Sequence, residues 1–244
     1  MTVRRSTKIP PILTIGCFHP IKIGQPPERR LFRHNPRMTA DDPILIRTGL
    51  PPLLRTRAAE LYWDAFGAKL GPLLGTRRRA VRAIAGTLAL DHAVVALRGD
   101  ELLGVAGFHV GSRGFIDLDG KAFRTVYGPV GGWVRRALLH LLLGRAAESG
   151  ELVMDGIAVR EDARGQGIGT RLLDEVERVA VRLGKNRIRL DVVDTNPDAR
   201  RLYERRGFVA TRTEDLPLLR SVLGFGAATT MVKRVQTPRL HDPA

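Results

Sequence analysis

The chain has one cysteine, Cys17. That excludes an internal disulfide framework and a cysteine-only metal site, and it makes a reducing, cytoplasmic setting the default. No apolar run approaches the roughly 20 residues that a membrane span needs. The longest, residues 137–143, is interrupted by His140 and flanked by arginines. No Gly-Lys-Ser/Thr follows a glycine turn, so a P-loop is absent. No His, Cys or Asp spacing suggests a metal, and no internal repeat is present. Lysine is scarce, with six residues against 34 arginines.

The net charge of +15 invites a nucleic-acid reading. Two observations weaken it. Residues 1–37 alone carry eight basic side chains and one acid, which leaves +8 for the rest of the chain. The arginine skew also looks more like genomic base composition than selection for a polyanion. A solvated basic surface is the expectation, with nucleic acid an unlikely partner and a basic nucleic-acid-binding module the lesser alternative.

Residues 1–37 contain prolines at 10, 11, 20, 26, 27 and 36 and no sustained periodicity, so they read as a poorly ordered extension. Pro10 and Pro11 break the short apolar run that would otherwise resemble a secretion signal. Met38 opens a cleaner sequence, and the extension reads as an over-extended start. From Pro43 onward the chain alternates between strand-like and helix-like periods. Strands are expected over 44–47, 92–97, 102–110, 151–159, 187–193 and 229–235. Helices are expected over 55–70, 77–90, 133–147, 169–183 and 197–206, and residues 112–132 read as glycine-rich and irregular. This is an α/β (α+β) pattern built on one central sheet.

The most informative segment is Arg164-Gly165-Gln166-Gly167-Ile168-Gly169. A strand-like run ending at Val159 precedes it, and a helical run with apolar Leu172, Leu173, Val176, Val179 and Ala180 follows. Glycines at a turn that opens a helix leave backbone N–H groups uncovered at the positive end of the helix dipole, which makes a phosphate site. A dinucleotide fingerprint fits poorly. Thr170 stands where a third glycine or alanine belongs, and residues 160–164 separate the strand from Gly165. A second segment runs from Asn196 to Phe208. Asn196 can cap a helix, Pro197 suits its first position and Gly207 stops it.

Together the two segments resemble the GNAT superfamily of acyl-CoA-dependent N-acetyltransferases. The first is similar to its pyrophosphate motif, Arg/Gln-x-x-Gly-x-Gly/Ala, at Arg164, Gly167 and Gly169. The second is similar to its Asn-x-x-Ala-x-x-Leu-Tyr-x-x-x-Gly-Phe signature at Asn196, Ala199, Leu202, Tyr203, Gly207 and Phe208. The close match covers residues 151–210. It implies a GNAT-like fold over 38–244, with a central mixed sheet of about six to seven strands flanked by helices. The sequence departs from the family pattern at 111–150, where about 40 residues replace a short turn. The apolar residues of 133–147 cover most of a helix circumference and imply burial on its own domain, a homodimer contact, or a lid over the acceptor.

The resemblance implies acetyl transfer from acetyl-CoA to an amine by direct attack, with no metal. Backbone N–H groups of Gln166, Gly167, Ile168, Gly169 and Thr170 would hold the pyrophosphate beside Arg164 and Gly165. The strand end at Ile157, Ala158 and Val159 would pair with the pantetheine arm, and an N–H near Val159 would polarise the thioester carbonyl. Asn196 would bond the pantetheine amides. Tyr203 would protonate the departing thiolate. Asp155 would act as the base; it shares a side of its strand with Glu151 unless a bulge intervenes. A non-catalytic acyl-CoA-binding or sensing domain is the alternative.

Overall fold

The computed structural model describes residues 42–117, 121–143, 147–216, 220 and 224–236. The expected extension, 1–37, lies outside them. Seven strands form one sheet: β1 (Ile44–Thr48), β2 (Ala93–Arg98), β3 (Glu101–His109), β4 (Glu151–Val159), β5 (Arg187–Val193), β6 (Val209–Asp215) and β7 (Ala227–Arg234). Their order is β1-β2-β3-β4-β5-β7-β6. Every neighbouring pair is antiparallel except β4 and β5, which run parallel.

Helices cover both faces. On one, α4 (Ile168–Arg182) and α5 (Pro197–Arg205) bury Leu172, Leu173, Val176 and Tyr203 against Leu103, Phe108, Met154 and Met231. The apolar residues of α4 recur at i, i+4 and i+7, so one stripe faces the sheet and arginines face water. On the other face, α1 (Arg55–Leu74), α2 (Arg77–Thr87) and α3 (Lys121–Leu143) enclose Tyr62, Ile84, Phe115 and Phe123 over Val95, Val105 and Ala158. Among the described residues no helix is long and apolar enough to cross a membrane.

Two expectations need correction. Residues 112–132 are not irregular throughout, because α3 begins at Lys121. The glycines and proline that read as loop signals act at one point. Gly128 takes φ 77° and ψ 172°, and Pro129 follows at the start of a second helical piece. There its missing N–H costs nothing, so the breakers kink a helix instead of ending it. The helix expected at 133–147 is the second piece, and it has ended before Ala147. The other correction is β6, which periodicity missed. Its residues are exposed almost throughout, because it is an edge strand paired only with β7. Polar VATRTED carries no buried stripe to detect.

Candidate active site

Strands β4 and β5 pair only over Glu151–Arg187, Leu152–Ile188 and Val153–Arg189. Beyond Val153 they part and leave a slot in the middle of the sheet. The Arg160 N–H donates to the Leu103 carbonyl (2.8 Å). By the alternation of an antiparallel ladder, Ala158 then turns its backbone toward β3, while Ile157 and Val159 turn theirs toward the slot. Of the three strand residues expected to serve a ligand through the backbone, two face it and Ala158 does not.

Helix α4 opens at the mouth of that slot. Gly167 precedes its first residue with φ 73° and ψ 7°, and Gly165 has φ 78°. Both conformations are left-handed and favour glycine. A Cβ on either would meet nothing within 4 Å, so the turn is open. No side chain caps the helix, and the N–H groups of Ile168, Gly169 and Thr170 have no intrahelical partner. The Ile168 side chain is buried in the core, and Gly169 packs close to Leu202 of α5. Both offer a ligand their backbone alone. Arg164 donates to the Val159 carbonyl (3.4 Å) from the exposed side of the turn. Arg98 reaches in from β2 to Gln166 Oε1 (3.0 Å), and its buried Nε is unpartnered among the described residues. The cradle is therefore cationic as well as donor-rich.

Tyr203 comes from α5. Asn196 caps that helix through the Ala199 N–H (3.2 Å), so its side-chain carbonyl is engaged while its amide group stays exposed. An ion pair between Arg206 and Asp174 ties α5 to α4. The Tyr203 ring is buried beside Phe208 (centroids 5.9 Å apart), and burial pushes its phenol up to about 12. It is thus fully protonated at neutral pH and able to donate.

Asp155 marks a bulge in β4. Met154 pairs with Phe108 and Gly156 with Gly107, so Asp155 has no partner on β3. Residues 151–155 keep their alternation up to that point, and the expected common side for Glu151 and Asp155 holds. The roles differ. Glu151 is buried at the closed end of the slot among Arg189 (3.1 Å), Arg187 (3.3 Å) and the Glu148 N–H (3.2 Å). A groove of about 940 Å³ opens there on the β5–β7–β6 face, with this ion-paired cluster in its wall. Asp155 sits on the α1 side of the slot. One oxygen accepts the Phe115 N–H (3.1 Å), and the other is paired with Nε2 of His109. Burial, reinforced by the Asp155 charge, pushes the Tyr62 phenol up, so it too stays protonated.

His109, Tyr62 and Phe115 were not identified from sequence. Alternation along β3 locates His109 on a face but not opposite Asp155, because the pairing depends on the β3–β4 register and on the loop 110–115. The side chain of His140 lies outside the described residues. Among the described residues no cluster of His, Cys, Asp or Glu could hold a metal ion.

The sheet thus parts between two parallel strands, and an uncapped, glycine-opened helix stands at the mouth. The acetyltransferase (GNAT) family model matches residues 56–208. The chain belongs to that family, and its class of chemistry is acyl transfer. No curated protein matches it. The fold is similar to an N-acetyltransferase from Staphylococcus aureus Mu50, at 20% identity and TM-score 0.56, covering 78% of this chain and 100% of that one. It is also similar to a GNAT-family structure from Desulfovibrio desulfuricans, at 18% identity and TM-score 0.51, covering 80% and 100% respectively.

Proposed function

We propose that the protein is an N-acetyltransferase that moves an acetyl group from acetyl-CoA to an amine by direct attack. One observation carries the reading. A slot with two backbone edges that β5 leaves unpaired, at Ile157 and Val159, leads from a cationic, uncapped helix terminus into the sheet. A linear donor with a pyrophosphate at one end and amides along its arm fits that arrangement. The N–H groups of Gln166 to Thr170 hold the pyrophosphate, with Arg164 adding charge. Ile157 and Val159 pair with the arm as a neighbouring strand would, and one of their N–H groups polarises the thioester carbonyl. The free amide of Asn196 meets the same arm. Tyr203 protonates the departing thiolate, and Asp155 serves the removal of the amine's proton on the α1 side.

The stripe Val130, Trp133, Val134 and Leu138 on α3 is exposed, with Trp133 at 66%. We assign it to contact with a second copy of the chain.

The test is thiol release from acetyl-CoA over a panel of alkylamines, amino acids, peptides and polyamines, beside calorimetric titration with CoA. Turnover with at least one amine, and CoA affinity, are expected. CoA binding with no thiol released would favour a sensing domain. Steeply salt-dependent binding of DNA or RNA that persists when the cradle is blocked would favour the nucleic-acid module.

A further inference from the structure

Asp155 is poorly disposed to take a proton itself. Both of its oxygens are engaged, one by the Phe115 N–H and one by His109 Nε2. It is also the more buried of the pair, its side chain 13% exposed against 23% for His109. His109 is thus the member of the pair nearer to solvent. A nitrogen paired with a carboxylate carries the ring proton, which leaves the other nitrogen as an acceptor. By that argument the ion-paired Nε2 carries the proton, and Nδ1, whose side of the ring faces Gly114, makes no hydrogen bond among the described residues.

The surroundings hold the ring in this pose. Residues 110–115 fold back beneath it, closed by reciprocal backbone bonds between Val110 and Arg113 (2.9 and 3.3 Å). A Cβ on Gly114 would overlap the His109 ring, so the backbone passes directly against the imidazole. The Phe115 N–H at the end of the same loop fixes Asp155. One loop thus sets both members of the pair. Its position relative to the donor follows from the slot. From Val159 to Asp155 is four residues, about 13 Å of strand, so an arm entering at α4 and lying along β4 ends near the bulge.

Resting on the acetyl-transfer reading, we infer that His109 is the general base, and that Asp155 is its positioning residue. The acceptor class follows: an alkylamine that arrives as an ammonium ion, because that nitrogen carries a proton that must leave before it can attack, whereas an arylamine arrives neutral. His109 Nδ1 takes one proton, directly or through a water, and passes it to solvent. The freed amine attacks the thioester carbon, the N–C bond forms and the C–S bond breaks. Tyr203 protonates the thiolate and regains a proton from the nitrogen, which loses it as the amide forms. The ammonium's three protons thus end on the amide, the thiol and solvent.

Two measurements test this. In the ligand-free protein, nitrogen-15 NMR of the His109 ring should show Nε2 protonated and Nδ1 bare at alkaline pH. Asp155→Asn should loosen that preference. The opposite tautomer overturns the proposal. With an alkylamine that supports thiol release, His109→Gln should lower kcat by about 10²-fold or more, abolish the acid limb of the pH profile, and leave CoA affinity within about twofold. Added imidazole should partly restore His109→Gly. Gly114→Ala, which keeps both side chains but displaces the ring, should lose rate in the same way. A pH profile unchanged in His109→Gln overturns the inference alone. Failure of every amine overturns the acetyl-transfer reading and this inference with it.

Discussion

Replacing Gly167 with aspartate instead of asparagine should weaken ligand binding without lowering stability. Gly167 holds φ 73° and ψ 7°, and a Cβ there meets no atom within 4 Å. Alanine would pay the left-handed penalty of about 1–2 kcal/mol. Asparagine and aspartate tolerate that region better, so the two can be compared at nearly equal backbone cost. A carboxylate at the start of α4 also faces the positive end of its dipole, worth about 0.3–1 kcal/mol in the protein's favour. A bound pyrophosphate would meet the same carboxylate. At a separation of about 5 Å, each unit of its charge is repelled by roughly 0.8 kcal/mol in water-like dielectric and about 3 kcal/mol at an effective value near 20. Two charges give about 2–6 kcal/mol, and the open turn favours the lower end, a loss of roughly 20- to 100-fold in affinity. Calorimetric titration with CoA, in parallel with thermal melting, reads both effects. Gly167→Asp should bind CoA at least tenfold more weakly than Gly167→Asn, while melting no lower. The gap should narrow as salt is added. Equal CoA affinity for the two variants would refute the assignment of this turn to the pyrophosphate.

Tyr203→Phe should lower the maximal rate of thiol release by about 10²-fold while CoA affinity stays within about twofold; unchanged turnover removes the phenol from the mechanism. Because burial holds that phenol up to about 12, any alkaline limb in the rate profile below about pH 10 should persist in the Phe variant. Burial pushes the Glu175 carboxyl up, but hydrogen bonds from Arg182 (2.9 Å), Arg178 and Thr48 (3.1 Å) outweigh it and hold it below the usual range. Glu175→Gln should therefore cost about 1 kcal/mol at pH 7 by urea unfolding. A depressed carboxylate stabilises above its unfolded value of about 4.3 and loses that contribution as pH falls through its folded value. The difference between the two proteins should accordingly shrink below pH 4. Trp133→Asp should convert a sedimenting dimer to a monomer; a monomeric parent protein would remove α3 as a contact between copies.

Legibility in the sequence tracked how local each determinant is. The ends of β4 and β5 read true because apolar runs bounded by turns mark buried strands, α4 because its glycine turn and apolar stripe lie within one segment, and α5 because its cap does. The slot itself is not legible in the sequence. That two parallel strands pair for three residues and then part is a property of the sheet, and no window of sequence contains it. His109 was missed for a similar reason. Its partner lies 46 positions on, and the register that brings them together is set by the bulge at Asp155.

That bulge explains why one short stretch of β4 can serve two sides of the site. Without it, strict alternation would put Leu152, Met154, Gly156 and Ala158 on one face. Instead Leu152 and Met154 join Ile157 and Val159 in the cluster under α4, while Ala158 packs into the cluster beneath α1. Asp155 and Gly156 therefore both turn toward α1. Gly156 accommodates this at φ 143°, where a Cβ would lie 2.7 Å from the Phe66 ring. A single inserted residue thus aims a carboxylate at the α1 side and resumes the strand in the phase that turns the Ile157 and Val159 backbone to the slot between β4 and β5. Deleting it would cost both functions together. Replacing the side chain alone should cost only the first, which makes Asp155→Ala, with CoA affinity retained and the rate lost, the sharper probe of the division.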